Sequence, residues 1–455
     1  MKLSIPQKPN TILNTLRENG YDAYVVGGCV RDTLLGLTPH DWDICTDATP
    51  AEIKKCFSDF NLYDAGEKHG TISVVIDGEV LEVTTFRVDG EYRDNRHPES
   101  VSFTGSLTDD LGRRDFTVNA MAYSDEKGLI DPYGGREDLR RKVIRCVGNP
   151  DKRFNEDALR IMRALRFAAT YGFAIERYTA FSLRRNAELL NNIAVERINA
   201  ELCRLICGRD AEKLLDAYRD VIAVFIPELR ECFDFQQHNK HHCYDVYRHM
   251  IHSVGRIAPD PLLRMSMLLH DIGKPRSCSE ETDGTRHFRG HQQISADIGR
   301  DILRRLKFPN AFIDDSLLLI LYHDVRFNGS KRQIKRVLQK LGEQNMRRLF
   351  QVQRADILSQ SEFQRAKKLT ILEDTIRLFE EILRRKECFS LKQLAVNGRD
   401  LIAIGVTDGR QIGGILNKLL NEVIDGRLEN DKTVLLNIAK RYYYSGAVTE
   451  KSTSE

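Results

Sequence analysis

The 455-residue sequence lacks the features that mark secreted, zinc-stabilised or membrane-spanning proteins. Its 10 cysteines include no Cys-x-x-Cys pair, which argues against a disulfide framework or a structural zinc site and indicates reduced thiols. No run approaches 18 consecutive apolar residues, and residues 1–8 carry no apolar signal segment. We therefore expect a cytoplasmic protein with no membrane partner and no obligate protein partner.

An excess of one charge is also absent. Lys and Arg number 69 against 66 for Asp and Glu, so the formal net charge is only +3. A nucleic-acid partner must therefore be held by a local basic surface rather than by bulk charge. With 41% hydrophobic residues the chain can bury a core, and its length favours more than one domain.

The apolar pattern changes along the chain and predicts an α+β fold. Short β-branched runs at 24–26, 72–76 and 80–84 alternate with helical stretches such as 51–57, whereas the period is close to 3.6 from about Asp157 onward. This pattern predicts an N-terminal α/β head followed by an elongated, all-α neck, body and tail. The predicted boundaries are 1–145, 146–235, 236–360 and 361–455.

A glycine turn and two aspartates carry the first chemical signal. Residues 25–36 read VVGGCVRDTLLG, a strand that runs into two glycines and then a helix. Glycine at position 28 lets a phosphate approach the N–H groups of the helix start, and Arg31 can add a charge-assisted contact. If Asp41 and Asp43 lie on a strand, both carboxylates project from one face and can hold two divalent ions, for which Mg²⁺ is suited.

These motifs resemble the nucleotidyltransferase head of the class II tRNA CCA-adding enzymes and bacterial poly(A) polymerases. The matching runs are GGCVRD, LLG and DWD. The resemblance implies a polymerase-beta-like head in which Asp41 and Asp43 bind catalytic magnesium, while Gly28 and Arg31 contact the incoming triphosphate. Glu82, on an alternating strand, is either a third carboxylate of this site or an ordinary exposed strand residue.

Three further segments extend the resemblance. Residues 111–120 match the family's RRDFTxNA motif, and we expect Arg113 and Arg114 to neutralise the triphosphate. DPYGG at 131–135 matches the hinge between head and neck. The charged segment 86–99 resembles the loop that the family needs to add the final adenosine, so we expect addition of all three nucleotides.

Another motif, EDALR at 156–160, matches the family's nucleotide-selecting EDxxR. On one helix face, Asp157 would accept a hydrogen bond from the amino group of cytosine or adenine while Arg160 donates to the ring nitrogen. Uracil and guanine present the opposite order and would be rejected. The alternative is a surface ion pair. Arg163 and Arg166 continue the stripe toward the triphosphate or the RNA 3′ end, and ERINAEL at 196–202 resembles a supporting segment.

A second constellation lies in the helical half. LLHDIGKP at 268–275 resembles the signature of the HD phosphohydrolase superfamily and implies a second divalent-metal site. Its ligands would be His249, His270, Asp271, His291, His323 and Asp356. Such a centre would act on phosphomonoesters or cyclic phosphates, or be vestigial.

Basic residues on helices beyond position 331 could follow an RNA backbone without reading its sequence, in keeping with a tRNA-binding tail. They lie at 331–336, 347–348, 365–368 and 384–386.

The resemblance implies template-independent addition of C, C and A to the tRNA 3′ end from CTP and ATP with Mg²⁺. Two alternatives share the head: a poly(A) polymerase, and an enzyme that adds only the cytidines or only the adenosine. A third alternative is a metal-dependent phosphohydrolase whose head serves as an RNA-binding module.

Overall fold

The computed structural model describes residues 3–90 and 101–451, which fall into two compact units. The first unit comprises Met1–Arg230, Pro259–Pro261 and Ile302–Phe308, and the second comprises Glu231–Ala258, Leu262–Asp301 and Pro309–Glu455. The four-part division expected from the sequence is finer than these units and stays a prediction. Most of segment 86–99, on which the expectation of complete CCA addition depends, lies outside the described residues.

A mixed sheet forms the centre of the first unit. The strands of the described chain are β1 (Ala23–Val26), β2 (Ile44–Thr46), β3 (Asn61–Tyr63), β4 (Thr71–Ile76), β5 (Glu79–Thr85), β6 (Arg87–Asp89), β7 (Val101–Phe103), β8 (Ala122–Ser124), β9 (Gly128–Ile130), β10 (Val143–Ile144), β11 (Ala174–Ile175), β12 (Ser279–Glu280) and β13 (Arg286–His287). Over residues 3–90 and 101–451, the central sheet has the spatial order β3-β4-β5-β2-β1-β8-β9. Strands β2 and β5 run parallel, and the other neighbours in this sheet are antiparallel.

Helices dominate the chain after the head. They are α1 (Gln7–Glu18), α2 (Gly28–Leu34), α3 (Pro50–Cys56), α4 (Leu107–Gly112), α5 (Gly135–Arg141), α6 (Pro150–Glu156), α7 (Leu159–Tyr171), α8 (Arg177–Arg185), α9 (Val195–Ile206), α10 (Ala211–Ala217), α11 (Arg219–Phe225), α12 (Val246–Gly255), α13 (Pro261–Leu269), α14 (His291–Arg305), α15 (Asn310–Tyr322), α16 (Lys331–Ser359), α17 (Arg365–Arg384), α18 (Gly398–Ala403), α19 (Gly409–Ile424) and α20 (Lys432–Lys451). The expected α+β class, a mixed-sheet head followed by a helical body, is confirmed.

The sequence explains several of these elements directly. The β-branched runs at 24–26, 72–76 and 80–84 lie in β1, β4 and β5, as expected. Helix α3 begins with a capping box, in which the Thr49 side chain accepts from the Glu52 N–H while Glu52 accepts from the Thr49 N–H. One expectation is wrong: Asp41 and Asp43 precede β2 instead of lying within a strand.

Close packing of α7 against the chain after α9 depends on a glycine. A Cβ on Gly208 would lie 2.7 to 2.9 Å from the Cβ and backbone of Ala169, which is fully buried in α7. The Asp210 N–H donates to the Ala169 carbonyl at 3.0 Å and fixes this approach. In the part of the chain that the structure describes, the helices are too short or too polar for any to traverse a lipid bilayer.

Replacing Gly208 by Ala should therefore lower the free energy of unfolding of the first unit by about 1–3 kcal/mol, because the added methyl group overpacks a backbone contact. Thermal and denaturant unfolding monitored by circular dichroism would measure the change. Gly105→Ala is the matched control, since no heavy atom lies within 4 Å of the place that its methyl group would take. Equal stability of the two variants would contradict the packing argument.

Candidate functional site

A glycine turn between β1 and α2 forms one wall of a polar cavity in the first unit. Gly27 has a φ of 80°, and a Cβ there would lie 2.9 Å from Nη1 of Arg114. Glycine avoids both the strained backbone conformation and this crowding. Gly28 is the first residue of α2 and also lines the cavity.

Arg31 is held rigidly against the same cavity. Its guanidinium donates from Nη1 to Oδ1 of Asn119 and from Nε to Oδ1 of Asp32, the latter at 2.9 Å. The guanidinium carbon lies 4.9 Å from the ring centre of Tyr171 and 5.1 Å from that of Phe167. Cation–π contacts and hydrogen bonds thus orient a residue that is only 7% exposed.

Two carboxylates, Asp41 and Asp43, line the cavity, and a third, Glu82, lies next to them. Asp41 and Asp43 lie just before β2, and Ile44 of β2 stands opposite Val83 of β5 in the parallel pair. The residues that precede this pair are Asp43 and Glu82, so Glu82 belongs beside the two aspartates.

The pKa values of two of these three carboxylates are raised by burial and by the negative charge of their neighbours. Desolvation and the like charges of Asp43 and Asp41 raise the pKa of Glu82. The pKa of Asp43 is raised mainly by desolvation and further by Asp41, although Arg114 acts in the opposite direction. A divalent cation would relieve this repulsion, and carboxylate oxygens are the ligands that Mg²⁺ prefers.

Asp110, a residue that we did not single out from the sequence, anchors the two arginines of the RRDFTVNA segment. Its side chain is fully buried and lies 2.8 Å from Nη2 of Arg113 and 3.3 Å from Nη2 of Arg114. Burial acts to raise the pKa of Asp110, but the two guanidinium groups outweigh it and hold the pKa below its ordinary value. The i, i+3 and i, i+4 spacing was the sequence signal for this contact.

Asp115 plays the same part for Arg163. The Asp115 carboxylate accepts from Nε of Arg163 at 2.8 Å and from Nδ2 of Asn119 at 3.0 Å. Its pKa falls to about 2, because the Arg163 charge and these hydrogen bonds outweigh the cost of burial. Asn119 therefore connects Asp115 with Arg31.

Arg166 is paired with Glu201 of α9. Nε of Arg166 lies 2.7 Å from Oε2 of Glu201, which is 5% exposed. Burial lowers the pKa of Arg166 to about 10, so the group remains protonated at neutral pH. We expected segment 196–202 to give the site structural support only. Its Glu201 also supplies a buried negative charge opposite Arg166.

The expected helical pair of Asp157 and Arg160 requires a correction. Asp157 does not lie in a helix: its φ and ψ are −135° and 102°, and it separates α6 from α7. Its Oδ1 accepts from the Leu159 N–H at 3.1 Å, while Oδ2 lies 3.2 Å from Arg197. The extended backbone at Asp157 ends α6, and α7 begins two residues later at Leu159.

Arg160 faces the cavity from a fixed position. It is 8% exposed, and its guanidinium donates to Oε2 of Glu156 at 2.8 Å and to the carbonyls of Arg153 and Arg113 at 3.1 and 2.9 Å. Asp157 and Arg160 therefore come together through a helix junction instead of through one helix face.

The structure brings all of the expected head and neck residues around one cavity of about 480 Å³. Its lining residues are Gly27, Gly28, Arg31, Asp41, Asp43, Arg113, Arg114, Asp115, Asn119, Asp157, Arg160, Arg163, Arg166 and Phe167. A cavity with carboxylates at one edge and arginines along its walls suits a polyanion that arrives with a divalent cation.

The second constellation also comes together, within the second unit. Nε2 of His249 lies 3.3 Å from Oδ2 of Asp271 and 2.9 Å from Oδ1 of Asp356, and Nε2 of His270 lies 3.2 Å from Oδ2 of Asp271. The other oxygen, Oδ1 of Asp271, lies 3.2 Å from Nε2 of His291 and 3.5 Å from Nε2 of His323. Asp271 therefore links two three-residue groups with metal-ligand spacing.

In all four histidines of this cluster, Nδ1 contacts a backbone carbonyl. The pairs are His249 with Ser359, His270 with Met267, His291 with Phe288, and His323 with Ile320. This arrangement leaves every Nε2 directed into the cluster, as metal-binding histidines require. Burial lowers the pKa of His270, whereas at His323 the hydrogen bond to Asp271 and the negative charges of Asp271, Asp356 and Asp324 together outweigh burial and raise the pKa.

A cavity of about 800 Å³ opens beside this cluster. Asp271, His291, His323 and Asp356 line it together with cationic side chains, among them Lys240, Lys274, Arg286, Arg289, Arg326 and Lys368. Cations around paired metal-ligand groups are suited to a phosphorylated ligand.

Several of the basic residues expected to follow RNA are instead paired with acids. Arg332 and Arg336 both bind Asp425, at 2.6 and 2.7 Å. Lys331 and Lys335 lie 2.9 and 2.6 Å from Glu387. These pairs reduce the local positive charge, and RNA binding by this region stays a prediction.

Comparisons with known proteins identify the family of the chain. Residues 23–145 match the family model for the poly A polymerase head domain, 172–232 that for the probable RNA and SrmB-binding site of polymerase A, and 290–439 that for a putative tRNA nucleotidyltransferase domain 2. The chain is 34% identical to the CCA-adding enzyme of Ligilactobacillus salivarius over 96% of each chain.

Two solved structures are similar over nearly the whole chain. The CCA-adding enzyme of Bacillus stearothermophilus in complex with CTP is 30% identical and superposes with a TM-score of 0.69 over 98% of both chains. The Thermotoga maritima CCA-adding enzyme complexed with tRNA_CCA, 22% identical, shares the fold with a TM-score of 0.58 over 96% of both chains.

Proposed function

The chain belongs to the family of CCA-adding enzymes and is a nucleotidyltransferase, and from this premise we propose that it adds C, C and A to the 3′ end of tRNA from CTP and ATP. One observation carries the proposal: Gly28, the aspartate pair and the expected arginines all line a single cavity. The similar structures with CTP and with tRNA_CCA support the same substrates.

The carboxylates and arginines divide the chemistry between them. Asp41 and Asp43, with Glu82 beside them, would hold divalent ions, which we propose to be Mg²⁺. When bound there, such ions would lower the pKa of the attacking ribose hydroxyl and stabilise the leaving pyrophosphate. Arg31 and Arg114 bind the triphosphate, and their buried partners keep them oriented before it arrives.

Base selection falls to the junction between α6 and α7. Asp157 accepts a hydrogen bond from the amino group that cytosine and adenine share, and Arg160 donates to the neighbouring ring nitrogen. The contacts of Arg160 with Glu156 and two carbonyls hold its guanidinium at the cavity wall. A protein surface with this donor and acceptor order disfavours uracil and guanine, because each would leave two like groups facing each other.

A second candidate activity rests on the histidine and aspartate cluster. We propose that His249, His270, Asp271, His291, His323 and Asp356 hold two divalent metal ions and hydrolyse phosphomonoesters or cyclic phosphates. The supporting observation is that Asp271 is shared by two groups whose histidines all direct Nε2 inward. The cationic cavity beside them would receive the phosphate.

Incubation with tRNA that lacks CCA and with each labelled nucleotide tests the main proposal. We expect incorporation of C and then A, with little U or G, and growth that stops at three nucleotides. Asp43→Asn should reduce incorporation by about 10²–10⁴-fold, because it weakens metal binding that is worth several kcal/mol in the transition state.

Asp59→Asn, an exposed change in the same unit, is the control. Incorporation of A alone into many RNAs would identify a poly(A) polymerase. Incorporation limited to the two cytidines, or to the final adenosine on trimmed substrates, would identify a partial-addition enzyme.

Asp157→Ala tests the selecting pair more cleanly than a change at the buried Arg160. It should reduce the preference for CTP over UTP by about 10–100-fold. In the variant the Asp157 carboxylate, a hydrogen-bond acceptor, no longer faces the acceptor oxygen of uracil. Divalent-ion dependence should stay unchanged. Competition assays with mixed nucleotides would give the ratio, with the exposed Glu188→Ala as control; an unaltered ratio would refute the role of Asp157.

Removal of the shared carboxylate tests the second centre. Asp271→Asn should lower the Mn²⁺ bound per chain and abolish hydrolysis of p-nitrophenyl phosphate and bis(p-nitrophenyl) phosphate, while incorporation of C into tRNA persists. Metal analysis after gel filtration and a colorimetric assay would measure both. A wild-type chain that binds no Mn²⁺ and cleaves neither compound would show that the cluster is vestigial. Loss of hydrolysis in Asp43→Asn would contradict its assignment to this cluster.

A further inference from the structure

A second, smaller cavity of about 310 Å³ adjoins the cationic cavity of the second unit. Its lining comes from the C-terminal part of α16, from α17 and from the chain that follows α15. His323 and Asp356, two of the candidate metal ligands, line both cavities. The histidine and aspartate cluster therefore lies where the two cavities meet, and a ligand held at the cluster can extend into both.

The two cavities differ in the chemistry of their lining. Cationic side chains line the larger cavity, whereas the smaller one also has an apolar lining, which consists of Val325, Phe327, Ile357, Ile371 and Leu372. Two cations of the smaller cavity, Arg326 and Lys368, line the larger cavity as well. A ligand that occupies both cavities therefore needs an anionic end for the cations and an apolar end for this lining.

The size and the exposure of the apolar lining suit one ring system. A volume of about 310 Å³ is at the lower end of the range for ligand sites. Phe327 and Leu372 are 7% and 4% exposed, so the packed core holds them in place. Ile371 is 40% exposed although it lines the cavity. Covering this apolar surface with a ligand ring would remove it from water and stabilise the complex.

Gln353 supplies one polar group in the same cavity. It is 6% exposed, and its Nε2 donates to the Val325 carbonyl at 2.8 Å. Within the described part of the chain, its Oε1 accepts no hydrogen bond. A ligand N–H would give this oxygen the donor that it lacks, and an acceptor left without a partner in a buried place is costly. The cavity therefore favours a ring that carries a hydrogen-bond donor.

We propose that the smaller cavity binds the organic part of a phosphoester, a flat apolar ring with a hydrogen-bond donor, while the phosphate lies at the cluster and faces the cationic cavity. The inference rests on the proposed hydrolysis by the second centre and names the class of ester that this centre takes. An ester with a small organic group would leave the apolar lining in contact with water. Nucleobases and amino-substituted aryl groups share the required chemistry.

Phosphonates, which the chain cannot hydrolyse, test the two ends of the ligand separately. In isothermal titration calorimetry with Mn²⁺ present, the Kd of benzylphosphonate should be about tenfold or more below that of methylphosphonate, because only the benzyl ring reaches the apolar lining. Ile371→Trp places an indole in the cavity and should remove this preference, while the Kd of methylphosphonate stays unchanged. Ile402→Trp is the matched control, at an isoleucine of α18 that is 56% exposed and lines neither cavity.

A third phosphonate tests the role of Gln353. In the wild-type chain, para-aminobenzylphosphonate should bind about two- to tenfold more tightly than benzylphosphonate, because its amino group donates to Oε1 of Gln353. The two ligands should bind equally to Gln353→Met. Equal Kd values for benzylphosphonate and methylphosphonate in the wild-type chain would overturn the inference, and so would a preference for the ring that survives in Ile371→Trp.

Phosphate release distinguishes the two sources of the ring. Ile371→Trp should lower kcat/KM for adenosine monophosphate by about tenfold if the ring is a nucleobase, and for phenyl phosphate alone if it is a smaller aryl group. A wild-type chain that prefers benzylphosphonate but hydrolyses neither ester would refute the proposed hydrolysis and keep the assignment of the cavity. Failure of the inference and failure of the proposed activity can therefore be distinguished.

Discussion

Pairing of buried carboxylates with arginines is the interaction on which the nucleotide cavity depends. Asp110 holds Arg113 and Arg114, Asp115 holds Arg163, and Glu201 holds Arg166. Unpaired, so many guanidinium groups around about 480 Å³ would repel one another and move toward solvent. The buried acids permit high positive charge density in one place and set its geometry before any substrate arrives.

The pairing of buried carboxylates with arginines separates two kinds of carboxylate around the cavity. Asp110 and Asp115 accept hydrogen bonds from arginines, and the pKa of Asp115 falls to about 2 because the Arg163 charge and these hydrogen bonds outweigh burial. Asp43 and Glu82 have raised pKa values instead, because desolvation and neighbouring carboxylates dominate there. Carboxylates of the first kind are neutralised within the protein, whereas those of the second kind gain most from an added cation. The direction of the pKa shift thus distinguishes the carboxylates that position arginines from those that are candidates for metal binding.

For the nucleotide cavity and for the histidine and aspartate cluster, the sequence predicted which residues come together better than it predicted their geometry. Local spacing located the glycine turn, the aspartate pair and the arginines, because each lies within a short contiguous motif. Spacing failed at Asp157, where the apolar period continues but the extended backbone of this residue separates α6 from α7. The spacing of apolar residues predicts which side chains are buried. It does not predict whether the backbone hydrogen bonds of a helix continue without a break. Asp110 was missed for a different reason: its spacing to Arg113 and Arg114 is visible in the sequence, but its complete burial is not.

The ligand sets indicate that the two candidate metal centres differ in kind. The edge formed by Asp41, Asp43 and Glu82 offers only carboxylate oxygen, which suits hard ions that keep much of their water. The cluster around Asp271 offers four imidazoles, which suit transition metals that bind nitrogen. The two sets lie in different compact units, each assembled from residues of its own unit. Because each candidate ligand set in the described residues comes from one unit, a substitution in one set leaves every ligand of the other in place, and the two candidate centres can be tested separately.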